Sequence, residues 1–277
     1  MRLTNLFFAL LLLAGLTGCV SEHTTAPRDV TPPAAPRGLY TVTGDHSVAL
    51  YWLGNTESDL AGYRIYSGDC ASGADCPYVR IGTVTANSTA FDATGLANGV
   101  TKYFAIAAVD AAGNESALSY ETIYDTPRPS GTGAVLGNFF TSVNGAGWDF
   151  SQYTPRSSSD PETDIYFGYN GSIHEMFAKD VNTDIQDAGY GASLDHVDVA
   201  PASGWSPTGT VELILGHCYV VWTRDNHFAK FRVTALSNTQ VTFDWAYQTA
   251  QGNPELAARR AVEEGQWPAA RKVYWAR

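Results

Sequence analysis

The sequence predicts a mainly β protein built from two antiparallel units in series. Three observations carry that expectation. Seven short runs rich in β-branched and aromatic residues lie between residues 36 and 124, each bounded by turn residues. A polar, Pro/Gly-rich stretch, DTPRPSGTGA, follows at 125–134. Further alternating runs then occupy 135–254. Short strands at regular spacing, separated by turn signals, indicate a sandwich.

The amino end comes first. Arg2 is the only charge before residue 19, and Leu6 to Leu16 is an apolar run, LFFALLLLAGL. A segment this short does not make a permanent membrane span and reads as a secretory signal over residues 1–18. Its ending, Leu16-Thr17-Gly18-Cys19, resembles the lipobox of bacterial lipoproteins. That resemblance implies acylation of the Cys19 thiol, and two or three acyl chains hold a protein stably at a membrane. Val20 stands where an Asp would favour inner-membrane retention, so the outer membrane is the expected location. Residues 20–35, VSEHTTAPRDVTPPAA, cannot bury a core, and with Cys19 they read as a flexible tether over 19–35. Loss of Arg2 with the signal takes the net charge from −11 to −12, which argues against nucleic acid as a partner.

The first unit spans 36–124. In SVALYWL, Val48, Leu50 and Trp52 share one parity, which suits a core face. PPAAPRGL at the start, Trp52, DLAGYRIY, GLANGVTKYFAIAAVDAAGNES and the closing ALS together resemble a bacterial fibronectin type III domain over residues 32–124. The resemblance implies a seven-strand Greek-key sandwich without catalytic apparatus, of the kind that spaces or presents other domains. Cys70 and Cys76 flank CASGADC in a surface insertion. Export allows a disulfide there; the alternative, a metal pair, lacks a second pair of ligands at zinc spacing. Cys218, in an apolar strand, is left as a buried free thiol.

After the expected linker at 125–134, the second unit is an antiparallel β-rich domain over 135–254. VLGNFFTSV, TDIYFGY, VELILGHCYVVWTR, HFAKFRVTAL and TQVTFDWAYQT are its strand candidates. DVNTDIQDAGYGASLDHVDVAP reads as a long polar connection with one helical turn. In HCYVVWTRDNHFAKFRV, Arg224-Asp225-Asn226 makes a hairpin turn. His227 then pairs near Thr223, and His217 lies roughly 20 Å down the ladder at ~3.3 Å per residue. One metal or haem iron cannot take both. This hairpin with VTFDWAYQT resembles the C-terminal strands of HmuY-type haem-binding lipoproteins. The resemblance makes haem the alternative ligand, with His174, His196 and His227 as candidate ligands; the axial ligands of that family have no residue-by-residue counterpart here.

Other chemistry is thinly signalled. Asp180, Asn182 and Asp184 open like a Ca²⁺-binding EF-hand loop, but Ile185 and Gly191 stand where Gly and Glu are required. No nucleophile-elbow, zincin, P-loop or dinucleotide motif occurs. Aromatics in Gly/Ser/Asn-rich connections are the better lead: Trp148, Trp205, Tyr190 and Tyr169 can stack on sugar rings or partner side chains, or plug the ends of the core. PELAARRAVEE reads as a short helix beginning at Pro254, and the tail over 255–277 holds five basic and three acidic residues. The expectation is a non-catalytic, lipid-anchored binding or structural protein that meets a surface glycan, a protein or haem, with no resident metal. A glycan-processing accessory role stands third.

Overall fold

The computed structural model describes residues 27–71, 76–119 and 123–257. The signal, Cys19, most of the tether and the tail beyond Ala257 lie outside them. Apart from a single 3-10 turn, every regular element among the described residues is a β-strand.

The first unit contains β1 (Arg37–Gly44), β2 (Ser47–Leu53), β3 (Leu60–Gly68), β4 (Val79–Thr85), β5 (Ala90–Thr94), β6 (Lys102–Asp110) and β7 (Ile123–Asp125). They form antiparallel sheets of order β1-β2-β5 and β4-β3-β6-β7, a fibronectin type III-like sandwich. The parity read in SVALYWL holds: Val48, Leu50 and Trp52 join Leu39, Tyr63, Ile65, Phe104 and Ile106 in the core. Trp52 meets Tyr63 edge-on at 5.2 Å, and the Tyr63 hydroxyl accepts the Asn55 amide at 2.7 Å, so the phenol buries its body and keeps its polar tip paired. Cys70 and Cys76 are disulfide-bonded, with 5.6 Å between their Cα atoms. The bridge closes the insertion between β3 and β4.

The second unit contains β8 (Ser130–Gly137), β9 (Gly147–Asp149), β10 (Thr154–Arg156), β11 (Ile165–Tyr169), β12 (His174–Ala178), β13 (Asp184–Tyr190), β14 (Thr210–Glu212), β15 (His217–Trp222), β16 (Phe228–Leu236) and β17 (Gln240–Gln248), with the 3-10 turn at Leu194–His196. Two five-stranded sheets, β10-β9-β11-β12-β14 and β13-β15-β16-β17-β8, pack face to face. Trp148, Phe150, Phe167, Tyr219, Phe231 and Phe243 fill the space between them. The hairpin is as expected: Trp222 pairs with Phe228, Thr223 N–H donates to the His227 carbonyl at 2.9 Å, and Asn226 takes the left-handed conformation at φ 64°.

Four strands went unread. β9 and β10 have three residues each, too few to display alternation. β12 follows directly on a turn. β13 was taken as part of a polar connection because it is an edge strand: only Ile185 reaches the core, and Asp184, Gln186 and Asp187 are polar, as edges commonly are.

Two boundaries also differ from expectation. The stretch 125–134 does not run free between the units. Asp125 to Pro129 is buried and Ser130 already begins β8. Its polar groups face partners in both units: Arg128 N–H donates to the Gly44 carbonyl at 3.1 Å, Gly99 N–H to the Pro127 carbonyl at 2.8 Å, and the Thr126 hydroxyl to Glu255 at 3.1 Å. At the other end, Pro254 to Ala257 is extended rather than a first helical turn. Glu255 bridges to Val199, and the Leu256 and Ala257 amides both donate to the Asp198 carbonyl at 2.7 and 3.0 Å. Leu256 is core, so the second unit runs past residue 254.

Candidate functional site: a cleft at the edge of a covered sheet

The sheet β13-β15-β16-β17-β8 is covered on both faces. Its inner face meets the partner sheet. On its outer face Cys218, Val220 and Phe228 pack against Val197, Ala200 and Leu256, from the loop after the 3-10 turn and the segment following β17. Lys230 shares their parity and is fully buried. Its Nζ donates to the carbonyls of Leu194 and Val197 at 2.7 and 2.9 Å, pinning the loop to the sheet. Burial first, and nearby Arg128 second, push its pKa down to about 7. Burial pushes the pKa of Arg128 down, opposed in part by the nearby Asp125, Glu255 and Asp195 carboxyls. Burial raises the Asp125 carboxyl, although the Thr43 hydroxyl bonds its Oδ1 at 2.6 Å.

Where this cover stops, a cleft of about 430 Å³ opens, lined by Ser130, Thr132, Ser193, Leu194, Arg232 and Asp244 with Gly131 and Ala192. Arg232 on β16 and Asp244 on β17 are direct cross-strand partners, a placement that puts Cβ atoms about 5 Å apart. Among the described residues no ion pair joins them. Each is anchored instead to a backbone group of the rim: Arg232 Nε donates to the Gly191 carbonyl at 2.7 Å, and Gly133 N–H donates to Asp244 Oδ1 at 3.0 Å. Gly191 must be glycine, because a Cβ there would stand 2.6 Å from the His196 side chain and 2.8 Å from Cys218 Sγ. Beside Arg232 the Tyr190 ring is 67% exposed. The two meet at Gly216, φ 84°, where a Cβ would stand 2.7 Å from the Tyr190 ring and 3.8 Å from Arg232 Nη2. The cleft therefore offers a tethered guanidinium, a tethered carboxylate and hydroxyls, with the exposed Tyr190 ring outside its lining, on the far side of Gly216.

The histidines go to separate places. His174 stacks on Tyr169 at 4.5 Å, with Nε2 3.2 Å from Asn238 Oδ1, at the turn between β16 and β17. His227 lies at the opposite end of β16, its Nδ1 3.0 Å from the Gln248 carbonyl. Eleven residue steps separate His227 from Asn238, roughly 36 Å at ~3.3 Å each. His196 ends the 3-10 turn on the outer side, so the sheet stands between it and His174. These three do not converge on one iron. His217 is held by Asp187 at 3.0 Å. Among the described residues one group of three metal-ligand side chains comes within reach of a shared ion, Asp29, Asp59 and Asp110 at the edge of the first sandwich. Oxygen donors suit a hard cation, but both Asp110 oxygens already accept bonds from Asn114 at 2.8 Å.

The aromatic candidates also divide. Trp148 is core, against Phe243 at 5.5 Å and Trp245 at 5.6 Å, not a loop platform. Trp205 is half-buried against Trp222 at 6.0 Å. Tyr190 stands exposed, on β13 rather than on a loop. A second aromatic group, Phe139, Phe140, Tyr166 and Phe177, lies on the outer face of the other sheet; Tyr166 stacks on Phe177 and Phe139 meets both edge-on, leaving Phe140 open to solvent. Sequence reasoning missed Arg232 and Asp244 as a pair. Their shared parity was readable, but not that they face each other.

No family model matches the chain. A stretch of 105 residues is 34% identical to part of the amylopullulanase of Thermoanaerobacterium saccharolyticum, covering 38% of this chain and 8% of that protein. A stretch of 130 residues is 33% identical to part of chitinase Chi52 of Paenibacillus xylanexedens, covering 44% of this chain and 23% of that protein. The chain thus spans less than a quarter of the length of these two relatives. Among solved structures, an Fn3-like protein from Clostridium thermocellum is 30% identical with a TM-score of 0.28, over 32% of this chain and 88% of that one. A DUF4466 family protein from Parabacteroides merdae is 11% identical with a TM-score of 0.41, over 79% of this chain and 96% of that one.

Proposed function

We propose that this chain is a cell-envelope lipoprotein, anchored in the outer membrane through Cys19, whose fibronectin type III-like unit presents a non-catalytic, glycan-binding second sandwich. The cleft carries the reading of the second sandwich: charged groups held apart by the backbone receive a ligand rather than each other. The buried seam at 125–129 supports the presenting role, since it leaves no free spacer between the units. The polysaccharide-directed names of two relatives support a glycan as partner. The matched length in the first, 105 residues, is close to the size of one such unit. Haem capture draws less support, because the three histidines offered for it lie apart.

Two measurements test this reading. Mass spectrometry of protein purified from membranes is expected to find Cys19 as an acylated amino terminus; an intact leader with a bare thiol would end the anchoring claim. Affinity electrophoresis of the full chain through gels containing pullulan, soluble chitin or β-glucan is expected to retard it in at least one. Unretarded migration in all three would end the glycan claim.

A further inference from the structure

The cleft lies on one covered sheet and is bounded on every side by elements that are themselves tied down. Lys230 fastens the 3-10 turn beneath Leu194. Arg232 fastens Gly191, and Cys218 Sγ lies 3.5 Å from the Ser193 carbonyl. Asp244 fastens Gly133. The result is a preformed site, and rigidity of this kind raises affinity by lowering the ordering cost of binding.

The charges select the ligand class. Arg232 repels a cation. Asp244, in a chain of net charge −11, repels an anion. What satisfies both is a molecule of no net charge with donors and acceptors side by side, a zwitterion or a set of adjacent hydroxyls, and the glycan reading above selects the hydroxyls. Arg232 presents two nitrogens outward as donors, and Asp244 presents its second oxygen as acceptor. Ser193, Ser130 and Thr132 supply groups that do either. Outside the lining, the exposed Tyr190 ring, which like the guanidinium lies close to Gly216, supplies a flat apolar surface matched to the C–H face of a pyranose. Size limits the ligand further. About 430 Å³ is at the low end of small-ligand sites, ~300–1,000 Å³, room for one or two sugar rings and not for a run of chain.

We propose that this cleft receives the terminal one or two pyranose rings of a neutral glycan, with Arg232 and Asp244 bracketing adjacent hydroxyls and Tyr190 stacking on a ring. The inference rests on the glycan reading above and adds the site, the residues and recognition of a chain end.

The test uses the full mature chain and calorimetric titration with maltohexaose, chitohexaose and cellohexaose, together with the disaccharide of each series. The expected result is binding in at least one series, with the disaccharide within about tenfold of the hexamer. Asp244→Asn and Arg232→Gln each weaken binding tenfold or more, and Tyr190→Ala weakens it three- to tenfold, with unchanged thermal unfolding. Should a variant fold poorly, amide NMR of the unaltered chain decides, because the Gly133 amide, bonded to Asp244, is expected to shift on saturation. Binding that survives all three substitutions with an unmoved Gly133 amide overturns the site and leaves the glycan reading standing. Affinity that climbs with chain length while the disaccharide fails to compete overturns end recognition. No binding in any series removes the glycan reading and this inference with it.

Discussion

The two sandwiches treat their outer faces differently. In the first, β2 alternates between buried and half-buried positions, as a strand with one core face does. In the second, β15 buries four consecutive residues and β16 buries its first four, because a third layer, made by a loop and the segment 254–257, lies over them. That layer brings Lys230 and Arg128 into the interior, and it stops short of Arg232 and Asp244. A bare sheet face would leave those two in solvent, and a complete cover would force them to pair. The comparison teaches that the candidate site is made by the edge of a cover, and it identifies which contacts must hold for the site to exist.

The most direct way to break the contrast is to remove what fastens the cover. Arg128→Ala takes the nearby positive charge from the buried Asp125 and Glu255 carboxyls and leaves a cavity beneath the cover; urea unfolding is expected to show a loss of about 2–4 kcal/mol. Leu256→Ala deletes a fully buried side chain from the outer layer, with an expected loss of about 2–4 kcal/mol. A loss under 1 kcal/mol in either would mean that the segment 254–257 does not cover the sheet. The first sandwich supplies the counterpart. Replacing Cys70 and Cys76 by serine opens a short loop, and chain-entropy reasoning gives about 2 kcal/mol. Sugar binding in the second unit is expected to survive it unchanged.

The smallest effect sharpens the comparison through pH. Lys230 is held at about 7 in the fold against 10.5 for an unburied lysine. Between those values the unfolded chain binds the proton and the folded chain does not, so stability rises with pH across that window. The Asp164 carboxyl, pushed up to about 7 by burial, opposes this near pH 7, and Cys218 and the buried tyrosines, all raised by burial, oppose it above pH 9, so the clean range is pH 7.5 to 8.5. There a gain of about 1–2 kcal/mol is expected at ~1.4 kcal/mol per pH unit. Lys230→Met is expected to abolish that slope; a slope that persists would place the effect elsewhere.

Much of the architecture was legible in residue order. Parity in SVALYWL identified a core face. The Arg-Asp-Asn turn set the hairpin register, and with it the separation of His217 from His227. Those readings succeed because strand alternation and turn chemistry are local. The loop aromatics divided for the converse reason. Trp148 looked loop-borne because β9 is three residues long, too short to show a pattern, and the structure makes it core.

The sequence by itself determined a chain of antiparallel strands, a first sandwich with its insertion, and a hairpin with two apolar faces, because a period of two and the turn residues are written in neighbouring positions. Tertiary structure alone decided that a Pro/Gly-rich stretch becomes a buried seam, that Leu256 closes a core begun far earlier in the chain, and that Arg232 and Asp244 face one another without pairing. Those outcomes depend on contacts between residues distant in the chain. The free energy of burying a charge or leaving it at a cleft is set by what else arrives there, and local order does not record that.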